Sequence, residues 1–126
     1  MTRNEVMQNK IEKGSEIRQE LFQKYETILP YELMEIWKNY GFGTLLNGYL
    51  RVINPDEYQA LLNETYFRGE ISIPIIATAF GDIITLEEKQ YIGMVKYIKG
   101  DFVIIAKSFK RFLQNLTDDY FVEKYF

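Results

Sequence analysis

Residues 71–106 read ISIPIIATAFGDIITLEEKQYIGMVKYIKGDFVIIA, and this stretch decides the fold. Its apolar residues are largely β-branched and fall into short runs separated by turn-forming residues. Residues 73–79, interrupted by Pro74, read as one strand, and Gly81-Asp82 marks the turn after it. Residues 83–86 form a short strand, while 90–98 and 102–106 are stronger ones. Between these two, Lys99-Gly100-Asp101 has hairpin chemistry, because glycine adopts the positive φ such turns require. Consecutive strands with short connections predict an antiparallel sheet, not alternating βαβ units.

Upstream, the pattern is helical. From about Glu12 to Tyr25, Ile17, Leu21 and Tyr25 recur at i, i+4 and i+8 with Phe22 beside them, which predicts an amphipathic helix. Leu29-Pro30 ends it, since the residue before a proline is pushed out of the helical region. Pro30 then suits the first turn of a second helix. There Leu33, Ile36, Trp37 and Tyr40 make one stripe, and Gly41 stops it. Asn47-Gly48 signals a turn and 49–53 a short strand. Asn54-Pro55-Asp56-Glu57 opens a third helix: Asn54 caps it, Pro55 fits the first position, and the acids complement the dipole. Its stripe is Tyr58, Leu61, Leu62 and Thr65, and it ends before Arg68-Gly69. Past the strands, Ser108 caps a helix bearing Phe109, Phe112, Leu113 and Leu116. The remaining tail, 118–126, is aromatic to its last residue; docking on the body and reaching a partner are equally open.

With helices first and strands later, the expectation is an α+β fold, an antiparallel sheet flanked by N-terminal, inserted and C-terminal helices. The 126 residues suit one domain, with no long linker or repeat to divide residues 1–126. The first twenty residues hold no apolar run fit for a signal peptide, and no membrane-length apolar stretch occurs, so a cytoplasmic protein is expected. A net charge of −3 and scattered basic residues argue against nucleic acid as the partner. Only Lys107, Lys110 and Arg111 stand close together, as the solvent face of a helix would.

The available chemistry is narrow. The chain contains no histidine and no cysteine, which removes imidazole bases, thiolate metal sites and Ser-His or Cys-His nucleophiles. No phosphate loop occurs, and Gly41-Phe42-Gly43 reads as a helix stop with a tight turn. Carboxylates remain: Asp82, Glu87 and Glu88 flank a short strand and could bind a hard metal or run a hydrolysis. Their spacing is not specific to either, and a turn aspartate with two solvated glutamates is the plainer reading. No enzyme and no cofactor are expected. Aromatic residues at 16% are many for so short a chain; most of them are expected to build the core, and tyrosine beyond core needs is what binding surfaces use.

The order of motifs carries a resemblance. Leu29-Pro30, Leu33, Ile36-Trp37, Tyr40-Gly41-Phe42-Gly43, Asn47-Gly48-Tyr49-Leu50 and Val52-Ile53-Asn54-Pro55-Asp56-Glu57-Tyr58 resemble the GAD-related domain, over residues 25–68. Ile73-Pro74 and Ala77-Thr78-Ala79-Phe80-Gly81-Asp82, with the hairpin strands and closing helix of 71–116, resemble the small domain that accompanies it. Together they are similar to immunity proteins of type VI secretion DNase effectors (the Tdi1-like group) and, more loosely, to the SMI1/KNR4 (SUKH) superfamily. The resemblance implies a cytoplasmic antidote that binds a cognate bacterial toxin or effector protein and blocks it. A regulatory or scaffolding protein-binding domain is the alternative, and a carboxylate-dependent hydrolase a distant one.

Within that frame the motif residues Pro30, Trp37, Gly41, Gly43, Gly48, Asn54, Pro55, Phe80 and Gly81 read as scaffold. Exposed aromatics and acids near the strands are the expected partner contacts: Tyr66, Asp82, Glu87, Glu88 and Tyr91. Paired acids and tyrosine anchors suit a basic, nuclease-like surface.

Overall fold

The runs of 71–106 do pair as consecutive antiparallel strands. The computed structural model describes residues 11–66 and 69–126. It places seven strands in one sheet whose spatial order is the chain order: β1 (Glu12–Ser15), β2 (Phe42–Leu45), β3 (Leu50–Val52), β4 (Ser72–Thr78), β5 (Ile83–Glu87), β6 (Tyr91–Lys96) and β7 (Asp101–Ala106). Every neighbouring pair is antiparallel. Helices α1 (Gln19–Tyr25) and α2 (Tyr31–Tyr40) lie between β1 and β2, α3 (Pro55–Thr65) between β3 and β4, and α4 (Phe109–Asn115) and α5 (Asp119–Tyr125) after β7. The fold is α+β, an antiparallel sheet with helices between its strands and after the last of them; the two helices expected ahead of the sheet instead follow β1. No helix among the described residues is long and apolar enough to cross a membrane.

Strand alternation sorts side chains onto two faces. Leu50, Val52, Ile84, Leu86, Ile92 and Met94 face one core with Leu33, Met34, Ile36 and Trp37 of α2. Phe109 and Phe112 of α4 and Phe121 of α5 complete it. Helices of seven residues are too short to stand alone in water. Burying each phenylalanine contributes about 1.5–3 kcal/mol, and that is what holds α4 and α5 in place. The aromatic tail is therefore a docked helix, capped by the Asp118 carboxylate accepting from Tyr120 N at 3.1 Å. On the other face, Leu62 of α3 and Tyr66 just after it pack on Val95, with Tyr97 and Phe102 alongside.

Local signals locate most boundaries. Asn54 Oδ1 accepts from Asp56 N at 2.9 Å, and Ser108 Oγ accepts from Arg111 N at 3.1 Å. Pro74 is tolerated inside β4 because the ladder to β5 shifts register between Pro74 and Ile76. Three expectations need correction. The helix from Glu12 is shorter, since residues 12–15 form β1 and the helix begins at Gln19. Gly41-Phe42-Gly43 stops α2 but also starts β2. Of the α3 stripe, Leu62 is buried whereas Leu61 and Thr65 are exposed.

The first two corrections share a cause. Gly41 has φ 64° and ψ −141°, a conformation only glycine adopts readily, while its N–H donates to Trp37 O. A Cβ on Gly41 would lie 2.0 Å from Ser15 O, and one on Gly43 2.2 Å from Glu12 O. Side-chain-free backbone is what lets β1 lie against β2. A second tie joins α1 to α3: Asp56 accepts from Lys24 Nζ at 2.8 Å and from Tyr25 OH at 2.6 Å. The Lys24 and Tyr25 hydrogen bonds hold the Asp56 carboxyl below the usual carboxylate range. Burial first, and then Asp56, push the Tyr25 hydroxyl well above the usual phenol range.

Two outcomes are expected. Gly41→Ala forces Cβ onto the Ser15 carbonyl and should destabilise by more than about 3 kcal/mol in urea unfolding; a loss under about 1 kcal/mol would show that the seam is loose. A depressed carboxylate pKa stabilises the fold above the unfolded pKa, and that contribution is lost as pH falls through the folded value. Asp56→Asn should therefore flatten the acid limb of stability below about pH 4, by no more than about 1 kcal/mol because the pair is solvent-exposed. Thermal melts across pH read this directly.

Candidate interaction surface

Two hairpin tips meet at one end of the sheet. Leu46-Asn47-Gly48 turns β2 into β3 with φ of 50°, 55° and 88° in succession. Leucine and asparagine in the left-handed region each cost on the order of 1 kcal/mol or more. The turn is closed by Gly48 N donating to Leu45 O and Tyr49 N donating to Leu46 O. Ala79-Phe80-Gly81-Asp82 turns β4 into β5, with Gly81 at φ 88°. Here Thr78 O accepts from Gly81 N, Asp82 O accepts from Thr78 N, and Thr78 Oγ1 accepts from Asp82 N. Asp82 Oδ1 also accepts from Tyr97 N at 3.1 Å, fixing the carboxylate to the residue that follows β6. Ala79 N donates to Tyr49 O at 2.9 Å and couples the two tips.

On this frame stands Phe80, 68% exposed. Its ring meets Tyr49 edge-on at 5.5 Å, and Tyr49 meets Phe126 at 5.7 Å. Phe126 in turn reaches Phe121 at 6.1 Å and Phe112 at 6.5 Å, both in the core. An exposed ring is thus tied ring by ring to the interior. Burial raises the Tyr49 hydroxyl pKa, opposed by a Thr78 hydrogen bond and helped by the Asp82 charge, so Tyr49 is neutral at pH 7. Phe80 was expected among the scaffold residues; its exposure corrects that reading. The signal was present, since a large apolar residue between Ala79 and Gly81 in a turn has no route to the core.

The five expected contacts divide. Tyr66 and Glu87 are buried, at 6% and 2% exposure, which corrects the expectation that they face solvent. The Glu87 carboxylate accepts from Thr85 Oγ1 at 2.6 Å and from Tyr66 OH at 3.4 Å, and the Tyr66 ring lies 4.9 Å from Phe102. Every residue of β5 is buried, because both faces of this strand are covered, and so alternation does not deliver Glu87 to water. Glu88 is exposed in the β5–β6 turn at φ 53°, and Tyr91 is half-buried opposite Glu87 in the ladder. Asp82 stands at the other end of β5, about 17 Å away at 3.3 Å per residue. The three acids considered for metal or hydrolysis therefore do not converge, and among the described residues no acidic cluster suits a metal.

The remaining motif residues sit in structural positions. Pro30 precedes α2 as its cap, one place before the first turn. Trp37 is 2% exposed and meets Tyr25 and Phe42 edge-on at 5.9 and 5.7 Å. Its Nε1 has no hydrogen-bond partner among the described residues; edge-on rings at this distance are compatible with N–H···π contact. Gly48 and Gly81 occupy the two tips, and Asn54-Pro55 begins α3.

Comparison with known proteins agrees with this architecture. The crystal structure of Atu4351 from Agrobacterium tumefaciens matches with a TM-score of 0.68 over 85% of this chain, at 13% identity. At that identity the likeness shows the fold alone. The match covers 56% of that chain, so this protein spans little more than half of its length. No curated protein matches the sequence. The family profile described as the GAD-like domain matches residues 4–99, well over half of the 126. The chain belongs to the GAD-like domain family.

Proposed function

We propose that this chain is an immunity protein: it binds a cognate bacterial toxin domain in the cytoplasm, blocks it by contact, and catalyses nothing itself. The observation that carries this reading is the Phe80 platform, a large exposed ring held by two coupled, hydrogen-bonded turns. Binding energy concentrates in a few aromatic anchors, and an anchor already immobilised loses little further freedom on association. Asp82, fixed beside it by Tyr97 N, adds one oriented negative charge. With a net charge of −3 this favours a basic toxin surface and speeds encounter with it. GAD-like membership and the motif order through 29–58 support the resemblance to toxin-immunity proteins. The missing histidines and cysteines leave little for catalysis but cost a binding scaffold nothing.

The test is co-expression with the toxin-like domain encoded beside this gene. Rescue of growth and co-purification of the two chains are expected. Phe80→Ala should weaken the complex by about 2 kcal/mol, roughly 30-fold in Kd, with the fold unchanged by circular dichroism. If both chains are soluble and growth is not rescued, the immunity reading fails and a regulatory protein-binding domain replaces it. If rescue occurs but Phe80→Ala binds as tightly as the parent, the platform is not the interface.

A further inference from the structure

The two edges of the sheet are built differently. β1 is four residues long, reads Glu-Lys-Gly-Ser, is exposed throughout and shifts register against β2. Short length, charge, glycine and irregularity are the devices that keep an edge from recruiting another strand. At the opposite edge, β7 reads Asp-Phe-Val-Ile-Ile-Ala and packs against β6 and α4. No proline or lysine interrupts it, and Ile104 is 45% exposed. Among the described residues no further strand lies beyond its outer rim, which leaves backbone groups there for another strand, though Phe102 N already donates to the Asp101 side chain at 2.8 Å. Only its far end is irregular, where Gly93 faces Ile104 but Ile92 faces Ala106, leaving Ile105 as an extra residue.

We infer that β7 pairs with β7 of a second copy of this chain, antiparallel, about a two-fold axis through Val103. The register follows from the faces. Opposed residues in an antiparallel pair point to the same side of the sheet, so the axis must pass through a residue and not between two. Through Val103, Phe102 meets Ile104 of the partner twice, both on the α3 side of the sheet. Val103 meets itself on the main-core side, and Asp101 meets Ile105, so no like charges oppose. Shifting the axis to Ile104 would set Phe102 against Ala106, which the extra residue has moved to the opposite side. The chosen register gathers the two exposed Ile104 side chains and the two half-buried Phe102 rings into one apolar band. A single strand pair is smaller than the roughly 1,200 Å² at which stable interfaces begin, so dimerisation is weak, micromolar or above. The inference does not depend on the immunity reading, whose surface lies at the β2–β3 and β4–β5 tips.

Sedimentation velocity of the whole chain from about 1 to 500 micromolar tests it, a range that brackets such a Kd. The mass should rise from 15.0 kDa toward twice that value. Ile104→Lys places like charges beside the axis at a solvent-exposed position and should weaken self-association at least tenfold, with the melting temperature showing that the monomer still folds. The chain has no native cysteine, so Val103→Cys introduces a single thiol. On the axis its Cα would lie about 4.5–5.5 Å from its mate, within disulfide range, so mild oxidation should link the dimer. Ile98→Cys, exposed in the turn before β7, should not link. A monomer at every concentration, a dimer indifferent to Ile104→Lys, or Val103→Cys linking no better than Ile98→Cys overturns the inference. Should Ile104→Lys fail to fold, the cysteine pair decides alone.

Discussion

Burial of β5 on both faces governs how the rest of the chain is disposed. All five of its residues are enclosed, so the sheet must be roofed twice, by α2, α4 and α5 on one side and α3 on the other. Two polar side chains come inside with it. Thr85 and Glu87 lie on the α3 face, where a carboxylate removed from water needs hydrogen-bond donors, and Thr85 and Tyr66 supply two. The ring of Tyr66 against Phe102 then closes that face over the carboxylate. An acid that would be ordinary on a solvated strand thereby becomes part of the interior.

The aromatic content has a similar double use. Phe109, Phe112 and Phe121 anchor two terminal helices too short to be stable alone. Through Phe126 and Tyr49 the same cluster extends outward to Phe80. A ring supported in this way keeps an edge-on aromatic contact without being buried. The strained turn at Leu46-Asn47 leads directly into Tyr49 along the chain. Its conformational cost is offset by the two hydrogen bonds that close the turn and by the one from Ala79 N to Tyr49 O that joins the two tips. For a proposed binding scaffold, rigidity at the surface is the useful quantity, because whatever freedom is lost in folding is not lost again on association.

At the seam between β1 and β2, glycine acts in the opposite sense, by leaving space empty. Gly41 and Gly43 let two backbones approach to distances that a Cβ would block. The close approach brings an N-terminal strand across to the edge of a sheet whose other members all follow α2. The result is one edge made of charged residues and glycine, and another made of apolar ones.

Much of the fold was legible in the sequence because it is decided locally. Asn54-Pro55 and Ser108 mark helix starts through bonds spanning two or three residues, and Gly81 and Gly100 mark turns through their own φ. The β-branched runs of 71–106 pair with their nearest neighbours in sequence, which is why α+β and an antiparallel sheet could be read directly. The absence of histidine and cysteine likewise settled which chemistries lack their usual groups. Tertiary structure alone decided the rest. β1 exists only because residues about thirty positions away present glycine backbone to it. Glu87 is buried and Phe80 exposed, against their polarity, because burial follows from which elements cover a position. Strand pattern tells which residues share a side of the sheet; whether that side meets water depends on helices packed from distant parts of the chain.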